Sequence, residues 1–347
     1  MRALQSAIEG RDVWVLGAGV LGLWQAWRLA QAGARVRLAD ASDDPLLHSA
    51  SSYAGAMLAP DCESEAAPPV VRDLGRQGLE LWRAAYPGTK TLGSLVVANA
   101  RDASELARFA RMTEGAEKLD DKRLADLEPD LAGRFPSALY FADEGHIETP
   151  AALQFLLDEA GRSGVETVFG AKGPLKPSDV SDSSLVIDCR GLAARQELPS
   201  LRGVRGERLV IRCADVRLSR PVRLLHPRHP LYVVPWSDQR FMVGATVIES
   251  EDLGPATVRS ALELLAAAYS LSPSFGEAEI LDIGAGVRPA FPDNVPRVIV
   301  GENRHVIYVN GAFRHGFLLA PVLAEAVVSV LAGKGEGHPL VQRSASS

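Results

Sequence analysis

DVWVLGAGVLGLWQAWRLAQAGARVRLAD, residues 12–40, is the stretch that decides the fold. DVWVL (12–16) is a short apolar run of the kind a buried strand needs, and ARVRLAD (34–40) is a second. Between them, LWQAWRLAQAG carries apolar residues at helical spacing. Strand, turn, helix and strand thus follow one another, with GAGVLG (17–22) at the turn and an acid closing the second strand. A GxGxxG run alone says little, but in this setting it has a mechanism. Gly17 permits the tight turn, Gly19 lets the backbone approach a pyrophosphate, and Gly22 lets the helix pack closely on the strand. The helix N-terminus then offers free N–H groups and partial positive charge to phosphates. Asp40, 18 residues beyond Gly22, is placed to accept hydrogen bonds from ribose hydroxyls.

Beyond Asp40 the chain does not continue as a plain second unit of this kind. Residues 44–69 are polar and small, and the small residues at 49–56 let the backbone lie against a flat ligand. Helices are expected around 70–86 and 102–112 with the strand GSLVVAN (93–99) between them, and a short helix with a proline-marked stop over 121–131. IETPAALQFLLDEAGRSG (147–164) is helical, with Thr149 as N-cap and Pro150 at the first helical position. VETVFG and SLVIDCRG read as strands returning to the first sheet. From about 203 to 249 the alternating runs GERLVIRC, PVRLLHP, LYVVPW and RFMVGATVI predict an antiparallel sheet, followed by a helix over 255–269. The last section returns to strand, strand, loop and helix. The expected α/β architecture is a nucleotide domain assembled from 1–78, 145–195 and 284–347. A mixed, largely antiparallel domain of 79–144 and 196–283 is inserted into it, with a ligand cleft where the two meet.

Composition limits the partners. The 347 residues suit about two domains, and 47% hydrophobic content is enough for a sizeable core. A net charge of −6 carries no footprint for nucleic acid. No apolar run reaches the ~18 residues of a membrane span, and the N-terminus has no signal core, so the reading is cytoplasmic. Cys62, Cys189 and Cys213 are odd in number and unpaired in spacing, which argues against disulfides and structural zinc. His226 and His229 in HPRHP belong to a proline-constrained loop, and no metal is expected. Oligomeric state stays open.

Two arginines stand in unusual settings among 31 in the chain. Arg288 lies in IGAGVRPAFPD (283–293) and Arg314 in VNGAFRHGFLLAP (309–321), both on short rigid stretches. Such a pair can hold a small carboxylate bidentately, or be ordinary ion-paired surface groups. Tyr232, in PLYVVP, can cap a small polar substrate or sit in a core. His315 adjoins Arg314 and titrates near neutrality if unperturbed. The helix starting near Phe317 can turn its positive end toward charge on a bound ring.

GAGVLG, SSYAGAMLAP, VRGERLVI, LYVVP with FMVGAT, GVRPAFPD and AFRHGFLLAP occur in this order, and together they resemble the D-amino-acid oxidase superfamily of flavoenzymes. Within it the chain is most similar to glycine oxidases of the bacterial thiamine thiazole pathway. The resemblance implies a Rossmann-like, glutathione-reductase-type domain holding FAD non-covalently, and no Cys follows Cys213 for a C-terminal tether. It implies Val20, Leu21, Asp40 and Ala41 along adenosine and phosphates, with Ala50, Ser51, Gly55, Ala56, Met57 and Gly191 toward the flavin. It implies Arg288 on the substrate carboxylate and Tyr232 on the substrate. Ala312, Phe313, Arg314, His315, Gly316, Phe317 and Leu318 would line flavin and substrate. The implied activity is oxidative deamination of a small amino acid, glycine first, with O2 reduced to H2O2. A related sarcosine-type or D-amino-acid oxidase, or a dehydrogenase with another electron acceptor, is the second reading.

Overall fold

A computed structural model of the chain describes residues 7–170, 172–226, 230–302, 305–335 and 337–344. These form two compact units. The first comprises Met1–Ala54, Thr149–Val204 and Val287–Ser347, and the second Gly55–Glu148 and Arg205–Gly286.

The first unit is built on a seven-stranded sheet. Its order is Val341–Arg343, Arg297–Val300, Val306–Asn310, Leu185–Asp188, Asp12–Leu16 (β1), Arg35–Asp40 (β2) and Glu166–Phe169. All neighbours are parallel except Arg297–Val300 with Val306–Asn310. Leu185–Asp188 is buried at every position, as expected of a central strand covered on both faces. The helix between β1 and β2, Val20–Gln31 (α1), packs against both Gly316–Leu331 and Thr149–Arg162. Helical spacing buries Val20, Leu23, Trp24, Ala26, Trp27 and Leu29. Each large apolar side chain so covered contributes roughly 1.5–3 kcal/mol. Trp27 meets Trp24 at 5.2 Å between ring centroids and Phe155 at 6.0 Å. Gly316–Leu331 holds Pro321 inside it, so the Phe317 carbonyl loses its usual i+4 donor.

The Thr149 expectation needs correcting. The helix starts at Thr149 itself, and the hydroxyl donates to the Ala54 carbonyl at 2.7 Å. The side chain thereby ties two separated segments of one unit. The expected helix over 121–131 divides into Asp121–Leu127 and a 3₁₀ turn at Pro129–Leu131, because proline cannot continue the hydrogen-bond ladder.

The second unit holds an eight-stranded sheet. Its order is Glu279–Ala290, Arg202–Arg212, Arg240–Gly244, Leu231–Pro235, Val222–Leu225, Ser94–Ala98, Ser137–Phe141 and Glu117–Asp120. From Arg202–Arg212 onward each pair is antiparallel except Val222–Leu225 with Ser94–Ala98. Alternation along Ser94–Ala98 serves two cores. Leu95 and Val97 join Phe241, Leu264 and Phe275, while Val96 and Ala98 join Cys62, Phe109 and Phe141. Residues 55–78 pack with this unit, since Met57–Leu58 pairs with Gly145–His146.

A buried carboxyl lies beneath this second core. Glu144 is fully enclosed; its Oε1 accepts the Cys62 N–H at 2.6 Å and its Oε2 meets the Ser94 hydroxyl. Burial pushes its pKa up to about 8, outweighing the hydrogen bonds from Ser94 and Cys62. Arg223 nearby places Nη2 on Glu63 Oε1 at 2.8 Å.

Candidate functional site

The glycine turn forms because backbone fills the space a side chain would need. Gly17 has φ 94°, and a Cβ there would lie 2.6 Å from the Cys189 carbonyl oxygen. On Gly22 a Cβ would overlap the Gly17 carbonyl oxygen. The turn is closed by Gly17 N–H donating to the Ala39 carbonyl and Cys189 N–H donating to the Leu16 carbonyl, both at 2.7 Å.

Gly19 is the N-cap of α1 and has no side chain of its own to cap the helix. Leu23 N–H donates to the Gly19 carbonyl at 2.9 Å, so the N–H groups of Val20, Leu21 and Gly22 precede the helical ladder. Ser51 Oγ accepts that of Val20 at 3.0 Å. Those of Leu21 and Gly22 point along the axis that favours an anion, so this turn fits the diphosphate of a dinucleotide. Asp40 Oδ2 accepts the Ala18 N–H at 2.7 Å and Oδ1 the Ser42 N–H at 2.9 Å. Each oxygen keeps a second lone pair, which suits ribose hydroxyls. Ala41 follows, exposed.

Ala50 and Ser51 belong to a 3₁₀ turn, Ala50–Tyr53. The surrounding polar stretch is an ordered corner. Ser49 and Ser52 hydroxyls meet at 3.0 Å, and Ser52 Oγ donates to the Leu46 carbonyl at 2.6 Å.

A second constellation in the first unit gathers around the strand ends. Arg288 is half-buried near the end of Glu279–Ala290. The next residue, Pro289, accepts the Phe313 N–H on its carbonyl at 2.9 Å, and Ala290 bridges to Ala312. The backbones carrying Arg288 and Arg314 are therefore hydrogen-bonded to each other. Phe313 has φ 47°, a left-handed conformation costing of order 1–3 kcal/mol in a residue with a side chain. His315 is buried, donates its N–H to the Ala312 carbonyl at 2.7 Å, and is the N-cap of Gly316–Leu331. Phe317 and Leu318 are buried in that helix's first turn. Gly191 opens the 3₁₀ turn Gly191–Ala194 at the end of the neighbouring strand.

The second unit gathers Gly55, Ala56, Met57 and Tyr232. Ala56 has φ 49°, and its carbonyl accepts the Ile147 N–H at 3.1 Å. Tyr232 stands opposite Gly244 on one neighbouring strand and Arg223 on the other. A Cβ on Gly55 would lie 2.6 Å from Tyr232 Cε2 and overlap Met242 Cε. Bare backbone at Gly55 is what admits the tyrosine ring.

Some structural partners escaped the sequence reading. Asn310 is fully buried, and its Nδ2 donates to the Gly191 carbonyl at 2.9 Å. Its only signal in the chain is the Asn-Gly pair, a turn former. Arg190 clasps the buried Asp188 through Nε to Oδ1 at 3.0 Å and Nη2 to Oδ2 at 2.7 Å, and reaches Glu197 Oε1 at 3.0 Å. Burial raises the Asp188 pKa against the pull of Arg190. Among the described residues no three His, Cys, Asp or Glu side chains are grouped to hold a metal, and His229 lies outside those residues. Among the same residues no helix is long and apolar enough to cross a membrane.

Comparison with known proteins gives a consistent picture. The model of a family described as FAD dependent oxidoreductase matches residues 12–330. A Rhizobium etli protein bearing the name thiamine biosynthesis oxidoreductase ThiO is 51% identical over 326 residues, covering 94% of this chain and 97% of that one. The glycine oxidase of Pseudomonas putida is 25% identical, covering 93% of this chain and 95% of that enzyme. The bifunctional protein ThiO/ThiG of Synechocystis is 28% identical, but the chain spans only 53% of its length. Among solved structures, glycine oxidase from Geobacillus kaustophilus superposes with a TM-score of 0.77 at 23% identity, covering 95% of this chain and 96% of that one. Iminodiacetate oxidase from Chelativorans gives 0.78 at 22% identity, covering 96% and 100%. These two likenesses bear on the fold.

Proposed function

This chain belongs to the FAD dependent oxidoreductase family, and from that premise we propose that it oxidises glycine to its imine with O2 as electron acceptor. The imine hydrolyses to glyoxylate and ammonia, and O2 leaves as H2O2. FAD supplies the acceptance of a hydride from the substrate Cα and its delivery to oxygen. The chain's own residues bind, orient and set the charge. Gly17–Gly22, Asp40 and Ala41 hold the ADP half; Ala50, Ser51, Gly55, Ala56, Met57 and Gly191 lie toward the flavin. Arg288 takes the substrate carboxylate, Arg314 and its loop line flavin and substrate, and Tyr232 contacts the substrate. The amine reacts neutral, so no side chain needs to act as base. The positive end of Gly316–Leu331 would favour negative charge on a ring bound beside it.

The observation that carries this reading is the hydrogen-bonded pairing of the Arg288 and Arg314 segments in the nucleotide-binding unit. Two guanidinium groups on joined, short backbones suit a small carboxylate. Glycine as substrate, and a place in thiamine biosynthesis, are supported by the names of the Pseudomonas putida and Rhizobium etli relatives.

Purified holoenzyme is expected to consume glycine and release H2O2 in equal amounts. Arg288→Ala is expected to raise the glycine KM about a hundredfold, the loss of about 3 kcal/mol from a charge-assisted pair, and to leave bound FAD unchanged. Turnover no faster than free flavin, or an unaltered KM in the variant, refutes the reading.

A further inference from the structure

Asn310 ends the strand Val306–Asn310 with no solvent exposure, and its amide makes two hydrogen bonds of opposite sense. Nδ2 donates to the Gly191 carbonyl at 2.9 Å, while Oδ1 accepts the Gly311 N–H at 2.8 Å. The strands leading to these two glycines are parallel neighbours, with Tyr308 opposite Asp188. The amide therefore spans the carboxyl ends of adjacent strands, the edge at which open parallel sheets bind their ligands.

Both glycines leave their strands through left-handed backbone, φ 59° at Gly191 and φ 78° at Gly311. A left-handed exit fixes direction but not the distance between two turns. Distance is set by what joins them beyond the paired strands, and here the buried Asn310 amide is such a link. Side-chain chemistry makes the choice narrow. An aliphatic residue would take this partner from the part-buried Gly191 carbonyl and from the buried Gly311 N–H, and an ionised aspartate could accept from Gly311 but not donate to Gly191. A carboxamide of this length serves both in its one, neutral form. Downstream of Gly311 runs the loop bearing Arg314, which is in turn fastened to the Arg288 strand through Phe313 and Ala312.

We propose that Asn310 is a positioning residue that sets the spacing of the Gly191 turn and the 311–316 loop, and through that loop places Arg314 and Arg288 for the substrate carboxylate. This rests on the amino-acid oxidase reading above. It assigns to Asn310 no contact with substrate or flavin; the residue acts through the backbone it joins.

The test uses FAD-saturated wild type, Asn310→Ala and Asn310→Asp. Acetate, a carboxylate without the oxidisable amine, is titrated while the flavin absorbance is followed, and glycine KM and kcat are measured separately. Both variants are expected to bind acetate about tenfold more weakly, with a matching rise in KM and a smaller change in kcat. Asn310→Asp keeps the local bond to Gly311 and, with its carboxyl ionised, loses the one that spans, so the titration is repeated across pH and the ionised form decides the matter if Asn310→Ala fails to retain FAD. An Asp variant with wild-type acetate affinity overturns the proposal, as does a wild-type flavin indifferent to acetate. Wild type that binds acetate but does not oxidise glycine overturns the function reading and leaves the acetate comparison to judge Asn310.

Discussion

Replacing Glu144 with glutamine removes one titration from the interior of the second unit and nothing else of its size. The folded carboxyl titrates at about 8 against the ordinary 4.5, because burial penalises its charged form. A raised folded pKa means the native state holds a proton that the unfolded chain gives up. The associated stability is therefore fully present below 4.5 and is lost as pH rises through about 8. At about 1.4 kcal/mol per pH unit, the loss across that window is about 5 kcal/mol. Glutamine stays neutral, and its Oε1 can still accept the Cys62 N–H. The neighbouring Asp61 and Arg223, which push the carboxyl in opposite directions, are common to both proteins and cancel in the comparison. Urea unfolding of wild type and Glu144→Gln is to be followed at intervals from pH 5 to 9. Near pH 5 the two should agree within about 1 kcal/mol, since a neutral amide replaces a neutral acid. By pH 9 the variant should be the more stable by about 3–5 kcal/mol. Parallel stability curves across the range would show that the carboxyl is already ionised when folded, and the burial argument would fall.

Gly22→Ala should abolish FAD retention, because its Cβ overlaps the Gly17 carbonyl that forms the turn; protein that keeps stoichiometric yellow colour through gel filtration contradicts this. Gly55→Ala should fold but crowd Met242 and Tyr232, an overpacking of about 1–3 kcal/mol. Its glycine KM should rise roughly tenfold, and an unchanged KM would mean that the Tyr232 ring is not where substrate is met.

Local chemistry explains which parts were legible beforehand. In β1–α1–β2 the period of the apolar residues, the glycines and the acid all lie within 12–40, so every signal needed is contiguous. AFRHGFLLAP reads as loop then helix for the same reason. Thr149 misled because a threonine before Pro150 satisfies every local rule for a cap, whereas its true acceptor, Ala54, lies 95 residues away. Asn310 could not be singled out, since its role depends on two strands about 120 residues apart lying side by side. Segment 44–69 lacks periodicity, yet serine hydroxyls and backbone order it, an arrangement that hydrophobic pattern does not encode.

The split ancestry of the first sheet bears on how the chain is made. Strand Leu185–Asp188 has β1 on one side and Val306–Asn310 on the other. During synthesis the side facing β1 can be satisfied as soon as residue 188 emerges. The other waits for more than a hundred further residues, while Leu185, Val186 and Ile187 stand at an open edge. An unpaired, apolar strand edge invites pairing with other chains, and closing so long a loop slows its repair. The second unit has all its chain by Gly286, before that edge is closed. Nascent chains stalled before residue 306 should thus be the chaperone-dependent and aggregation-prone species, their vulnerability written into strand order and relieved only when Val306–Asn310 arrives.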